Sequence, residues 1–215
     1  MKKNLLFAIL CVLGLFGTIN AQDVVTIDGT VGEHEVTTSK NVPAFCANKW
    51  AITQQFYTAE EIGKSSGTIE SIAFKTADVA AETEKYPFTR NLEIYMVNTE
   101  DYAIVGNTMK AMSASDLVFS GNVEFTNYNA WNSIDITDFE YTGKNVLICV
   151  NDVTGSNVSG GVSFDAFKHS VTIDGSNAYR ALYKRSTSAA FDATTTVTGA
   201  STNAPVPFVQ FAFAE

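Results

Sequence analysis

Beyond residue 21, the side chains with the most reactive chemistry are Cys46, Cys149, His34 and His169. A cysteine in contact with a histidine would make a thiolate nucleophile, because a neighbouring imidazolium stabilises the anion. None of the four stands in a local signature of such a pair. Cys149 lies inside Val146-Leu147-Ile148-Cys149-Val150, an apolar run that reads as a strand covered on both faces, where a thiol is inert. Cys46 and Cys149 are candidates for a disulfide in an oxidising compartment; the other reading is two small buried hydrophobes. Serine catalysis is equally unmarked, since Gly160-Gly161-Val162-Ser163-Phe164 is not followed by a helical pattern and is no nucleophile elbow. Asp135, Asp138 and Glu140 put three acids in one short segment, and β-sandwich glycosidases use carboxylate pairs. With Ile134 and Ile136 facing inward, however, these acids read as a solvated outer edge. The residues therefore point to a protein that is not an enzyme.

Binding chemistry is better represented. Calcium takes six to eight oxygens from Asp, Asn and backbone carbonyls in loops, and Asn151, Asp152, Asp165 and Asp174 are the candidate ligands. No EF-hand or nonapeptide pattern fixes them, and with just two histidines neither zinc nor copper is expected. A saccharide would be met by aromatic rings lying flat on a sheet face or loop rim. Tyr95 is the first candidate, because alternation turns it away from Leu92, Ile94 and Met96. Trp50, Tyr86, Tyr102 and Tyr128 stand in or beside loops and could extend such a platform, while Trp131 and most phenylalanines read as core.

The elements that must position these groups begin after an export signal. Lys2 and Lys3, an apolar run over 5–16, and Ile19-Asn20-Ala21 before Gln22 form the three-part pattern of a secretory signal peptide, with cleavage expected after Ala21. The run is shorter than the roughly 20 residues of a membrane span, and Cys11 lacks the small residues that precede a lipobox cysteine. No transmembrane span is expected in the mature chain. Losing two lysines leaves 12 Lys and Arg against 23 Asp and Glu, a net charge of −11, which disfavours nucleic acid and anionic lipid as partners.

Residues 22–215 read as one β domain. Strands are predicted at 24–27, 51–57, 69–74, 92–97, 131–136, 146–150, 162–167, 171–173, 178–183 and 207–213. Another strand is expected near 117–125, broken at Ser120-Gly121-Asn122. Thr58-Ala59-Glu60-Glu61 matches a capping box with Gly63 as the stop, so one helical turn is expected there. The stretch 77–87 reads as a long loop, and 186–203, rich in Thr, Ser and Ala, as an extended or mobile one. Many short strands without a long amphipathic helix give an all-β fold, a two-sheet β-sandwich.

An ordered series of motifs carries a resemblance. It runs through Asn41-Val42-Pro43, Thr53-Gln54-Gln55-Phe56-Tyr57, Gly67-Thr68-Ile69-Glu70-Ser71-Ile72-Ala73-Phe74, Asn91-Leu92-Glu93-Ile94-Tyr95-Met96, Ala130-Trp131-Asn132-Ser133-Ile134 and Tyr141-Thr142-Gly143-Lys144-Asn145-Val146. Over 41–185 the chain resembles an adhesin- or haemagglutinin-like β-sandwich module of secreted Bacteroidota surface proteins. It departs where Ala44-Phe45-Cys46-Ala47 replaces an expected aromatic-rich stretch. The resemblance implies a jelly-roll-like fold and a secreted or cell-surface, non-catalytic binding module for extracellular glycan or protein. The alternative is a structural or assembly component of the cell envelope.

Overall fold

The computed structural model describes residues 22–215, so the signal pattern, Cys11 and the cleavage point after Ala21 lie outside the described residues. In chain order the elements are β1 (Asp23–Ile27), β2 (Val36–Ser39), β3 (Trp50–Tyr57), α1 (Ala59–Ile62), β4 (Gly67–Lys75) and β5 (Phe88–Thr99). Next come β6 (Ile104–Val105), β7 (Leu117–Phe125), β8 (Trp131–Tyr141), β9 (Asn145–Asp152) and β10 (Phe164–Phe167). The series ends with β11 (Val171–Ile173), β12 (Ser176–Tyr179), β13 (Ala181–Ser186), β14 (Val206–Pro207) and β15 (Val209–Phe213).

A four-stranded sheet in the order β1-β15-β4-β8 faces a five-stranded sheet in the order β13-β3-β9-β5-β7. All these pairings are antiparallel. The chain crosses between the sheets from β3 to β4, from β4 to β5, from β7 to β8 and from β8 to β9, which is the jelly-roll manner of building an all-β sandwich. Leu92, Ile94 and Met96 of β5 and Ile148 and Val150 of β9 meet Ile69, Ile72 and Phe74 of β4 and Phe211 of β15 in the core. Burying side chains of this size is worth about 1.5–3 kcal/mol each, so the inward alternation fixes the register. On β8 the pattern resets: pairing with β4 shifts between Ile69 and Ser71, which lets Phe139 and Tyr141 face inward beside Ile134 and Ile136. Asp135, Asp138 and Glu140 stay exposed.

The capping box at Thr58 forms as the sequence predicts. Its side chain accepts from the Glu61 N–H, Glu61 reaches back to the Thr58 N–H, and Gly63 closes the turn at φ 68°. Residues 77–87 are less loop-like than expected, because 80–85 wind into a 3-10 turn that buries Glu82. There the Glu82 carboxylate accepts from the Ser163 N–H at 2.7 Å and pairs with Lys40 at 2.8 Å.

Three expectations need correction. β7 is continuous through Gly121, which pairs with Leu92, since a strand tolerates glycine where its partner supplies the ladder. The stretch 178–183 is not one strand. It splits at the buried Arg180, whose guanidinium donates to Phe56 O at 2.8 Å and to both Glu61 oxygens at 2.9 and 2.5 Å. That anchor lets β12 pair with β6 and β11 while β13 pairs with β3. Finally, 186–203 is a packed cover. Ala193, Val197 and Ala200, with Ile104, Met109 and Met112, bury Ile52, Phe56, Leu147 and Cys149 on the outer face of the five-stranded sheet. The two covering segments are stitched together by Met109 N–H to Val197 O at 2.8 Å and Met112 N–H to Ala193 O at 2.9 Å. Gln54 clamps them to the sheet, its amide donating to Lys110 O at 2.6 Å and accepting from Lys110 N–H at 2.9 Å.

Candidate ligand-binding site

Short strands outside the two main sheets shape a cavity. β10 pairs with β2 and β14, while β12 pairs with β11 and β6, giving two three-stranded sheets. Between them opens a cavity of about 620 Å³, within the range of small-ligand sites. Thr37, Thr38, Ser39, Lys40 and Asn41 line it from β2 and the turn that follows. Lys168, His169, Ser170 and Val171 come from the β10–β11 link, Asn177, Ala178 and Tyr179 from β12, and Thr202, Asn203, Ala204 and Pro205 from the approach to β14.

Most polar groups on this wall are hydroxyls and amides. The two lysines are already engaged. Lys40 bonds to Glu82 at 2.8 Å and to Gly160 O at 2.9 Å, and Lys168 pairs with Glu35 at 2.6 Å. Burial alone would raise the Glu82 carboxyl, but the hydrogen bonds from Lys40 and the Ser163 N–H, with the charges of Lys40 and Lys85, hold it below the usual carboxylate range. The wall therefore presents an array of neutral donors and acceptors beside the Tyr179 ring.

His169 stands in the same wall and meets His34. His169 Nδ1 and His34 Nε2 are 3.1 Å apart, and the rings meet edge-on at 4.5 Å and 79°. His34 stacks on Phe167, with centroids 5.3 Å apart and planes 10° from parallel. Burial, the Arg180 charge and the neighbouring His34 press the His169 imidazole down to about 4, so its ring is neutral at pH 7.

The aromatic candidates do not converge. Tyr95 is 6% exposed under the cover, its hydroxyl 3.4 Å from Glu93, so it offers no ring face to a ligand. Burial pushes that hydroxyl up to about 12. Tyr86 packs against Phe88 at 5.2 Å beside the main core. Trp50 begins β3 with Lys49 over its ring and the Gly155 loop close by. Tyr102 and Tyr128 are exposed, one after β5 and the other between β7 and β8. Alternation placed Tyr95 correctly on the outer face; that this face carries a second apolar layer has no local signal in the strand itself.

The proposed calcium ligands are also dispersed. Asp152 pairs with the buried Arg90 through Nε at 2.7 Å. Arg90 also holds Ser156 O at 2.8 Å and Asn48 O at 3.1 Å, so the carboxylate serves to neutralise a structural cation. Asn151 donates to Glu93 at 2.9 Å and to Phe191 O at 3.1 Å. Asp165 pairs with Lys75 at 2.9 Å, and Asp174 sits at the β11–β12 turn with φ 49°. Among the described residues no group of three or more His, Cys, Asp or Glu converges as a metal site.

The disulfide expectation is corrected as well. Cys46 and Cys149 are both free and buried. Cys46 packs in the core between the sheets, whereas Cys149 faces the cover on the opposite side of the five-stranded sheet. Burial, the largest influence on each, raises both thiols to about 12, so neither is a thiolate nucleophile at neutral pH.

The cavity escaped the sequence reading because its walls come from four remote segments, one of them in the supposed loop 186–203 and its continuation. The available signals were the Thr and Ser of 37–39 and a histidine in each flanking segment. Fold and site together define an all-β sandwich with a lateral polar cavity. Comparison with protein-family models, with curated proteins and with solved structures finds no match. Among the described residues no helix is long and apolar enough to cross a membrane.

Proposed function

We propose that this chain is a secreted or cell-surface, non-catalytic, adhesin-like module that binds an extracellular glycan in the lateral cavity. The observation that carries the reading is the wall chemistry. Thr37, Thr38, Asn41, Asn177, Thr202 and Asn203 offer neutral hydrogen-bond donors and acceptors beside Tyr179, and both lysines are already neutralised by Glu82 and Glu35. That lining suits an uncharged saccharide, whose hydroxyls need paired donors and acceptors and whose apolar ring face suits an aromatic side chain. The signal pattern over 1–21 supports an extracytoplasmic address.

A glycan array probed with the full chain, followed by calorimetry on the best neutral oligosaccharide, tests this. Asn177→Ala and Tyr179→Ala are each expected to weaken binding by tenfold or more, while Tyr128→Ala leaves it unchanged. A blank array, or binding lost in Tyr128→Ala and kept in the two cavity variants, would overturn the assignment.

A further inference from the structure

We infer that His34 and His169 form a two-imidazole chelate for a divalent transition-metal ion of the zinc, nickel or copper type, beside the cavity. The two ring nitrogens that face one another, His34 Nε2 and His169 Nδ1, are 3.1 Å apart. Two nitrogens bound at about 2.0–2.1 Å to one ion stand about 3.3 Å apart in a tetrahedral site and about 2.9 Å apart at a square-planar right angle. The observed spacing lies between these limits.

The pair is organised by the fold and not by sequence proximity. His34 precedes β2 and His169 follows β10; these strands pair in the register Val36 to Phe167. Lys168 N–H to Glu35 O at 2.9 Å extends that ladder to the residues beside each histidine. Stacking on Phe167 fixes the His34 ring. Gly32, at φ 83°, keeps the chelating nitrogen clear, because a Cβ at that position would stand 2.8 Å from His34 Nε2.

The charged side chains nearby are paired. Arg180, with its guanidinium carbon 5.4 Å from the Phe167 ring, is held by Glu61. Glu35 and Lys168 neutralise one another. In the metal-free pair one proton bridges the two nitrogens. When the ion takes that place, the proton moves to the distal nitrogen of the same ring. Water, or an oxygen of a molecule in the cavity, completes the coordination on the side where His169 lines the wall. Metal binding here needs no saccharide, so the two assignments stand or fall separately.

The test uses the full chain without a polyhistidine tag, stripped by a chelator and titrated separately with zinc chloride, nickel chloride and copper sulfate at pH 7. At least one metal is expected to bind one ion per chain with micromolar affinity. His34→Ala and His169→Gln should each weaken it tenfold or more. Circular dichroism of both variants checks that the fold persists. At a hundredfold excess over Kd the metal should raise the unfolding midpoint of the wild type by roughly 5–10 °C, and of neither variant. No stoichiometric binding by any of the three ions, or equal affinity in wild type and both variants, would refute the chelate and leave the pair a simple hydrogen bond.

Discussion

Removing the guanidinium of Arg180 while keeping its stem, as in Arg180→Met, isolates the charge at the point where β12 and β13 part. Arg180 is 2% exposed and donates to both Glu61 oxygens and, twice, to Phe56 O at 3.2 and 2.8 Å. Its loss leaves the Glu61 carboxylate, 8% exposed, with only its Thr58 bonds. Breaking one side of a buried pair costs about 3–5 kcal/mol. For a domain of this size that corresponds to a midpoint lowered by roughly 6–20 °C in a thermal melt at pH 7. Glu61→Gln added to Arg180→Met removes the stranded charge and should recover part of the loss, so the two substitutions are non-additive. The pH dependence has a definite sign. Burial alone would raise the Glu61 carboxyl, but the Arg180 hydrogen bonds and charge and the Thr58 bonds outweigh it and hold it below its usual value. The pair's contribution is therefore full above the unfolded-state value of about 4.3 and is lost as pH falls through the lower folded-state value. The gap between wild type and Arg180→Met should close in that acidic range. A loss under about 1 kcal/mol at pH 7, or strict additivity in the double variant, would refute the account.

Two further outcomes separate buried geometry from surface accident. Gly143→Ala should destabilise by about 2–4 kcal/mol and Gly106→Ala by about 1 kcal/mol, measured by urea unfolding. Both glycines have positive φ, 77° and 82°, but only at 143 does a new Cβ collide with a backbone atom, the Ser65 carbonyl oxygen. Equal costs would show that the Ser65 contact does not matter. Cys46 and Cys149 should react with a thiol reagent at pH 7 only after denaturation, and the protein should run identically on reducing and non-reducing gels; labelling in the native state would contradict their burial.

Elements whose local chemistry and tertiary role agree were legible from the residues. The capping box at Thr58, the alternation of Leu92, Ile94 and Met96, and the all-apolar β9 each carry a signal within a few positions. β2 and β6 carry none, since Val36–Ser39 and Ile104–Val105 become strands only because a neighbour supplies the ladder. Arg180 shows the same limit more sharply: a mid-strand arginine reads as a solvated face unless the partner Glu61 is known to be buried beside it. Tyr95 was placed on the correct face, and the residues that cover it come from 100–116 and 187–204, far along the chain. The cavity is the extreme case. Each segment contributes only a few of its side chains, so it exists only once two minor sheets are set against each other.

The position of β15 has a consequence for how the molecule is assembled in time. This strand lies between β1 and β4 and pairs with both, Val25 with Phe211 on one side and Ile72 with Phe211 on the other. As the chain folds, β4 and β8 can pair with each other, but β1 has no partner until residues 209–213 are in place. Until then that half of the sandwich is a two-stranded remnant with the apolar faces of Ile69, Ile72 and Phe74 unshielded. Pairing across nearly the whole chain length is also the slow kind of folding step. The vulnerable species is thus the chain in which β4 and β8 have paired and β15 has not, and its lifetime is set by the arrival of that single strand.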